Sequence, residues 1–295
     1  MTRPLNRFEF SLADILFRVT AADAVPVLVP PDEYSLFLTT IPGRPPAAVY
    51  EARVLDTACP SSDAELFWDN GIWRTRLLDS GNVGIEIFDV ALQGWRIAAR
   101  CSDDFSSGEL LVPDSHATAS TVRPLYHPQD RAVILGRICR LGGVMMHSSC
   151  VLVDGRTILL VGMSGAGKTT LGRLWRDHGG ILLNDERNLL LPKHGRVAAG
   201  ASPWHGEENQ VDPSTGPLAA VFFLNQAPAN RVRPMALPES LPRMMTAAFV
   251  PVFIPGAAAR TLDACGAILE AVPSYELSFT PDVRAVDLCR SVLKT

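Results

Sequence analysis

Eight residues, Gly162-Met163-Ser164-Gly165-Ala166-Gly167-Lys168-Thr169, satisfy every fixed position of the pattern G-x-x-x-x-G-K-[ST]. The apolar run Thr157–Val161 enters this segment, and a helical pattern from Lys168 to about Asp177 leaves it, stopped by His178-Gly179-Gly180. Strand, glycine-rich turn and helix in that order confine this part of the chain to an α/β fold. Glycines let backbone N–H groups turn inward around phosphate oxygens, and the helix N-terminus adds partial positive charge. The expected cradle comprises Gly162, Ser164, Gly165, Ala166, Gly167, Lys168, Thr169 and Thr170. Lys168 is expected to reach the β- and γ-phosphates of a nucleotide, and the Thr169 hydroxyl to ligate Mg²⁺.

The remaining composition narrows the reading. Lysine occurs only at positions 168, 193 and 294 among 27 basic residues, so the one inside the loop stands out against an arginine-rich background. Residues 1–130 carry 10 Arg against 18 Asp and Glu, whereas residues 131–295 carry 17 basic against 13 acidic groups. Neither half has the basic excess of a duplex binder, which argues against a nucleic-acid partner. No apolar stretch reaches the length of a membrane span, and the start lacks the apolar block of a signal peptide, so a soluble cytoplasmic protein is expected. The six cysteines form no C-x-x-C pair and no Cys/His cluster at zinc spacing, which predicts buried thiols.

The first third reads as strands at 26–30, 47–54, 72–76, 83–87 and 95–100, separated by turn signals such as Asn70-Gly71 and Gly81-Asn82. This predicts an antiparallel β-rich N-terminal region, residues 1–128, and a catalytic domain over 129–295. Within the latter the pattern predicts helices at 132–141, 168–177, 239–248, 257–271 and 283–293. Strands are expected at 151–153, 157–161, 181–183, 189–191, 218–224 and 275–279.

Nucleotide chemistry at such a loop needs a carboxylate at the end of a neighbouring strand. Ile181-Leu182-Leu183-Asn184-Asp185-Glu186 supplies two, the first 17 residues beyond Lys168. Asp185 can serve as general base for an incoming hydroxyl or as a Mg²⁺ ligand, with Glu186 taking the other task. Asn230, Arg231 and Arg233 either neutralise phosphate or form a solvated loop.

With His147 placed 15 residues before Gly162 and Asp185-Glu186 after the next strand, residues 130–200 resemble the HPr kinase/phosphorylase catalytic domain. That resemblance implies a phosphoenolpyruvate-carboxykinase-like P-loop domain and transfer of the ATP γ-phosphate to a serine hydroxyl. It gives Asp185 the role of base and makes His147 an active-site neighbour. Two positions depart from the family: Glu186 stands where it has an aspartate, and Thr170 where it has an acidic residue. The arginine-containing signature of regulatory HPr kinases is not found; Pro203-Trp204-His205-Gly206-Glu207 stands in its place. That stretch is similar to HPr-kinase-like proteins of ribosomal peptide pathways, including lasso-peptide kinases, which phosphorylate a serine on a precursor peptide. Trp204 can stack on a base or pack a loop, His205 can contact phosphate, and Glu207 can be a further metal ligand.

The sequence therefore reads as an ATP- and Mg²⁺-dependent serine kinase acting on a peptide or protein, with a homo-oligomer left open. A P-loop ATPase, a non-catalytic nucleotide-binding scaffold and a small-molecule kinase are the alternatives.

Overall fold

Turn-punctuated, β-branched sequence folds as strands through the first part of the chain: β1 (Arg7–Leu12), β2 (Ile15–Ala21), β3 (Val27–Leu28), β4 (Ala48–Leu55), β5 (Glu65–Asp69), β6 (Trp73–Leu77), β7 (Val83–Asp89), β8 (Gly94–Cys101), β9 (Ser107–Pro113) and β10 (Thr121–Val122). Helix α1 (Gln129–Arg140) follows. These elements belong to a computed structural model that describes residues 6–22, 25, 27–55, 64–90, 93–118, 120–193, 195–206 and 211–293. Eight of the strands form one sheet in the order β1-β2-β4-β9-β8-β7-β6-β5.

The expectation of a purely antiparallel region is corrected here. Strands β5 to β9 form a meander, but β2 pairs with β4, and β4 with β9, in parallel. A parallel pair needs a long return connection. The whole β5–β8 meander supplies that return between β4 and β9, a topological relation that strand-by-strand patterning does not carry.

The second part comprises β11 (Val144–Val153), β12 (Arg156–Val161), α2 (Lys168–Asp177), β13 (Ile181–Asn184), β14 (Arg187–Lys193), β15 (Arg196–Ala201), β16 (Thr215–Gln226), β17 (Arg231–Pro234), α3 (Leu237–Ala247), β18 (Ala248–Phe249), α4 (Ala257–Ala271), β19 (Ser274–Phe279) and α5 (Val283–Leu293). Asp154 and Gly155, both at positive φ (49° and 72°), close the β11–β12 hairpin. β12 also pairs in parallel with β16, and β16 in parallel with β19. Because β11 runs antiparallel to both β12 and β13, the last two point the same way, with β11 between them. The C-terminal ends of β12, β13, β16 and β19 therefore share one edge, the edge at which open α/β sheets bind ligands.

Burial explains the near-continuous apolar runs of β12, β13 and β16. Ile158, Leu160, Phe222, Leu224 and Leu277 cluster with Leu171 and Trp175 of α2 and with Ala285, Val286 and Cys289 of α5. Their sequence neighbours Leu159, Val161, Val221 and Phe223 are buried as well. Gly172 lets α2 lie close to the strands, since a Cβ there would stand 3.0 Å from Leu182 Cδ1.

The chain divides into two compact units. One holds Met1–Ser11, Ile15–Arg140 and Pro251–Ala257; the other holds Leu12–Asp14, Leu141–Val250 and Ala258–Thr295. No helix among the described residues is long and apolar enough to cross a membrane. Five cysteines, Cys101, Cys139, Cys150, Cys265 and Cys289, are buried thiols, and Cys59 lies outside the described residues.

Candidate active site

The glycine-rich loop joins β12 to α2 at the shared strand edge. Gly165 and Gly167 take φ of +78° and +93°, a left-handed backbone that favours glycine. Gly167 is also the N-cap of α2, and no side chain caps the helix. The first turn of α2 therefore keeps N–H groups available for an anion. A Cβ on Gly167 would lie 2.7 Å from Phe279 Cζ, so the end of β19 demands glycine here too. From β16, Gln226 Nε2 donates to Gly165 O at 2.7 Å and ties down the loop tip.

Lys168 Nζ donates to Gly162 O (2.9 Å) and Met163 O (3.3 Å), inside its own loop. Burial pushes its pKa below the ordinary lysine value, partly offset by the negative charges of Glu186 and Asp185. His147, near the middle of β11, pairs across the sheet with Arg187. Burial and the nearby Lys168 and Arg187 charges hold its pKa below the ordinary histidine value, against the pull of Glu186 and a hydrogen bond to the Glu186 backbone.

A cavity of about 400 Å³ brings these groups together. His147, Lys168, Thr169, Thr170, Asp185 and Glu186 line it, with Ser164, Gly165 and Gly167 from the loop and Gln226 and Gly206 from elsewhere. Asp185 is 5% exposed, and Glu186 Oε1 is 3.1 Å from Arg187 Nη2. Gly162 and Ala166 do not line this cavity; they line an adjoining hollow that shares Ser164, Gly165 and Gln226 with it and is bordered by Phe223 and Arg243.

The remaining sequence candidates fall elsewhere. Trp204 is 5% exposed and packs inside, so it offers no open face for stacking. His205 is exposed, its Nδ1 3.1 Å from Gly206 O, and it does not line the cavity. Glu207 lies outside the described residues. Asn230 Oδ1 accepts from the N–H and hydroxyl of Thr280, while Arg233 pairs with Glu239 and Glu276, so both hold the β17–β19 region together.

Gln226, Gly206 and Asn184 were given no role by the sequence. Gln226 carries no local signal, because it meets the loop only through the β12–β16 register. Asn184 did have one, a polar residue ending an apolar strand immediately before two carboxylates.

The donor set suits Mg²⁺-bound phosphates. Among the described residues no three His, Cys, Asp or Glu side chains cluster into a self-sufficient metal site. A hydroxyl and one or two carboxylates beside a phosphate cradle match a cation that keeps waters and shares substrate oxygens. Ammonium, uncapped helix N–H groups and glycine backbone match the polyphosphate itself.

No family model and no curated protein matches the chain. Among solved structures, the HPr(Ser) kinase/phosphatase from Coxiella burnetii shows a remote likeness at 12% identity and a TM-score of 0.31, covering 51% of this chain and 97% of that one. A likeness of that depth leaves the chemistry of the site to be read from its own residues.

Proposed function

We propose that the second unit binds Mg²⁺-ATP and transfers its γ-phosphoryl group to a serine hydroxyl on a peptide or protein. The observation that carries this reading is the cavity in which Lys168, Thr169, Asp185, Glu186 and His147 converge on the uncapped N-terminus of α2. Thr169 and one of the two carboxylates would hold Mg²⁺, which when bound neutralises charge on the phosphate oxygens.

In the transfer, the serine oxygen bonds to the γ-phosphorus while the bond to the β–γ bridging oxygen breaks, leaving ADP. The serine proton passes to Asp185, whose place beside the loop suits a base facing the acceptor. Lys168 leaves its loop carbonyls for the β- and γ-phosphates and opposes the charge developing there. His147, kept neutral near pH 7, holds the edge of the cavity as a hydrogen-bonding group without adding repulsion to Lys168. The peptide acceptor is supported by the resemblance of the Pro203–Glu207 stretch to kinases of ribosomal peptide pathways.

Incubation with ATP labelled in the γ-phosphate, Mg²⁺ and serine-containing peptides tests the reading. Label on peptide serine, lost by about 100-fold or more in Asp185→Asn, is the expected result. Label released only as free phosphate would favour an ATPase and overturn it.

A further inference from the structure

Asn184 ends β13 one residue before Asp185, and its side chain is fully buried. Its amide makes four hydrogen bonds in two directions. Oδ1 accepts from the backbone N–H groups of Glu186 (2.8 Å) and Arg187 (3.0 Å), fixing the acidic turn. Nδ2 donates to Ser202 O (3.2 Å) and Trp204 O (3.1 Å), fixing the segment that leads to the cavity. Ser202 reinforces this second grip, its Oγ donating to Trp204 O at 3.2 Å and its N–H to Arg187 O at 3.1 Å.

At the far end of that segment, Gly206 stands against the acidic pair. A Cβ at position 206 would lie 2.8 Å from Glu186 Oε2 and 3.0 Å from Asp185 Oδ1. Segment 202–206 is thus tied to the turn that carries Asp185 and Glu186 by the Asn184 amide, and at Gly206 it runs so close to the two carboxylates that a side chain would press on them.

We infer that Asn184 is the positioning residue of the site, a clasp that makes the acidic turn and segment 202–206, which brings Gly206 to the cavity, one preorganised unit. The inference rests on the kinase reading for its effect on rate, and on hydrogen bonds alone for the clasp itself. Asparagine is the side chain that fits, because it offers one acceptor oxygen and two donor hydrogens in a single plane. Aspartate accepts from the turn but sets an anion against two carbonyl oxygens. Alanine leaves two N–H and two C=O groups buried without these partners. Misplacing a base by about 1 Å is enough to cost roughly 100-fold in rate.

The test uses the full chain with Asn184→Ala, Asn184→Asp, Gly206→Ala and the Ala/Ala double variant. Steady-state transfer from Mg²⁺-ATP is expected to show kcat lowered about 30- to 300-fold with KM for ATP within about threefold of wild type. The double variant should fall no further than its worse single parent by more than about threefold, because both changes break one coupling. Amide exchange, which needs no activity, should speed up at least about tenfold at Glu186, Arg187 and 204–206 while α2 stays protected.

A kcat within threefold of wild type in Asn184→Ala, or unchanged exchange at those amides, overturns the inference. So does an equal loss of ATP affinity together with raised exchange throughout the unit, which would mark a merely structural role. Should Asn184→Ala fail to fold, Gly206→Ala carries the same readouts. A wild-type chain that transfers no phosphoryl group would sink the kinase reading instead, leaving amide exchange to decide whether the clasp exists.

Discussion

Lys168 spends its hydrogen bonds on its own loop, at Gly162 O and Met163 O, and partial burial already pulls its pKa down. Both facts describe a cation with unmet demand for an anion, which a polyphosphate would satisfy. His147 has the opposite need. Its pKa lies below the ordinary value through burial, Lys168 and Arg187, so the folded chain favours neutral imidazole. Between the folded and the ordinary value the folded state binds fewer protons than the unfolded one. Stability contributed by the neutral ring is therefore present above the ordinary histidine value and lost as pH falls below it. The matching expectation for rate is an acid limb below about pH 6.5, part of which disappears in His147→Gln. A kcat/KM profile between about pH 5 and 8 checks this, and identical acid limbs in both proteins would contradict it. Lys168, Thr169 and Asp185 could be picked out in the sequence because their chemistry sits in short contiguous motifs. Gln226 and Gly206 could not, since each acquires its neighbour only when distant strands and loops come into register.

Helix α2 was legible to the residue, because a left-handed glycine opens it and His178-Gly179-Gly180 closes it. Apolar runs likewise announced β12, β13 and β16, and β19 was expected at 275–279. Their shared direction followed only conditionally from sequence; the strand expected at 151–153 is the C-terminal end of β11, whose start at Val144 and place between β12 and β13 did not follow. Strands β1, β2, β5, β9, β10, β15, β17 and β18 were missed, as were the parallel pairs β2–β4 and β4–β9. Edge exposure, as in the mostly exposed β5, removes the alternation that marks a half-buried strand. The junction of loop and helix makes its own prediction. Gly167→Ala puts a Cβ into a left-handed backbone and 2.7 Å from Phe279 Cζ. The backbone alone costs about 1–2 kcal/mol, and displacement of Phe279 from the core adds to it. Urea denaturation should show a lower midpoint with an unchanged slope; an unchanged midpoint would mean that the loop tolerates a different backbone.

Across the whole molecule, the acidic front and the mildly basic remainder correspond broadly to two compact units, with α1 belonging to the first. Acid sensitivity of the first unit has an identifiable source. Burial pushes the Asp104 carboxyl up, but hydrogen bonds from Ser106 and Ser102 and the Arg137 charge outweigh it and bring the pKa down to about 2. Arg137 Nη1 donates to Asp104 Oδ2 at 3.0 Å, joining the β8–β9 turn to α1. Since the folded value is depressed, the stabilisation is complete above the unfolded value near 4 and is lost as pH falls toward 2. The side chain is 47% exposed, so solvent screening reduces the effect to about 1 kcal/mol. Asp104→Asn should therefore lower stability by about that amount at pH 7 and hardly at all near pH 2, as measured by denaturant midpoints at the two pH values. The central claim, that the second unit is built around Mg²⁺-ATP, meets its most direct test in calorimetric titration of the full chain with that nucleotide. Saturable one-site binding by the wild type, weakened about 30-fold or more in Lys168→Ala with the fold intact, is the predicted result. No binding by the folded wild type, or equal binding by wild type and Lys168→Ala, would contradict it.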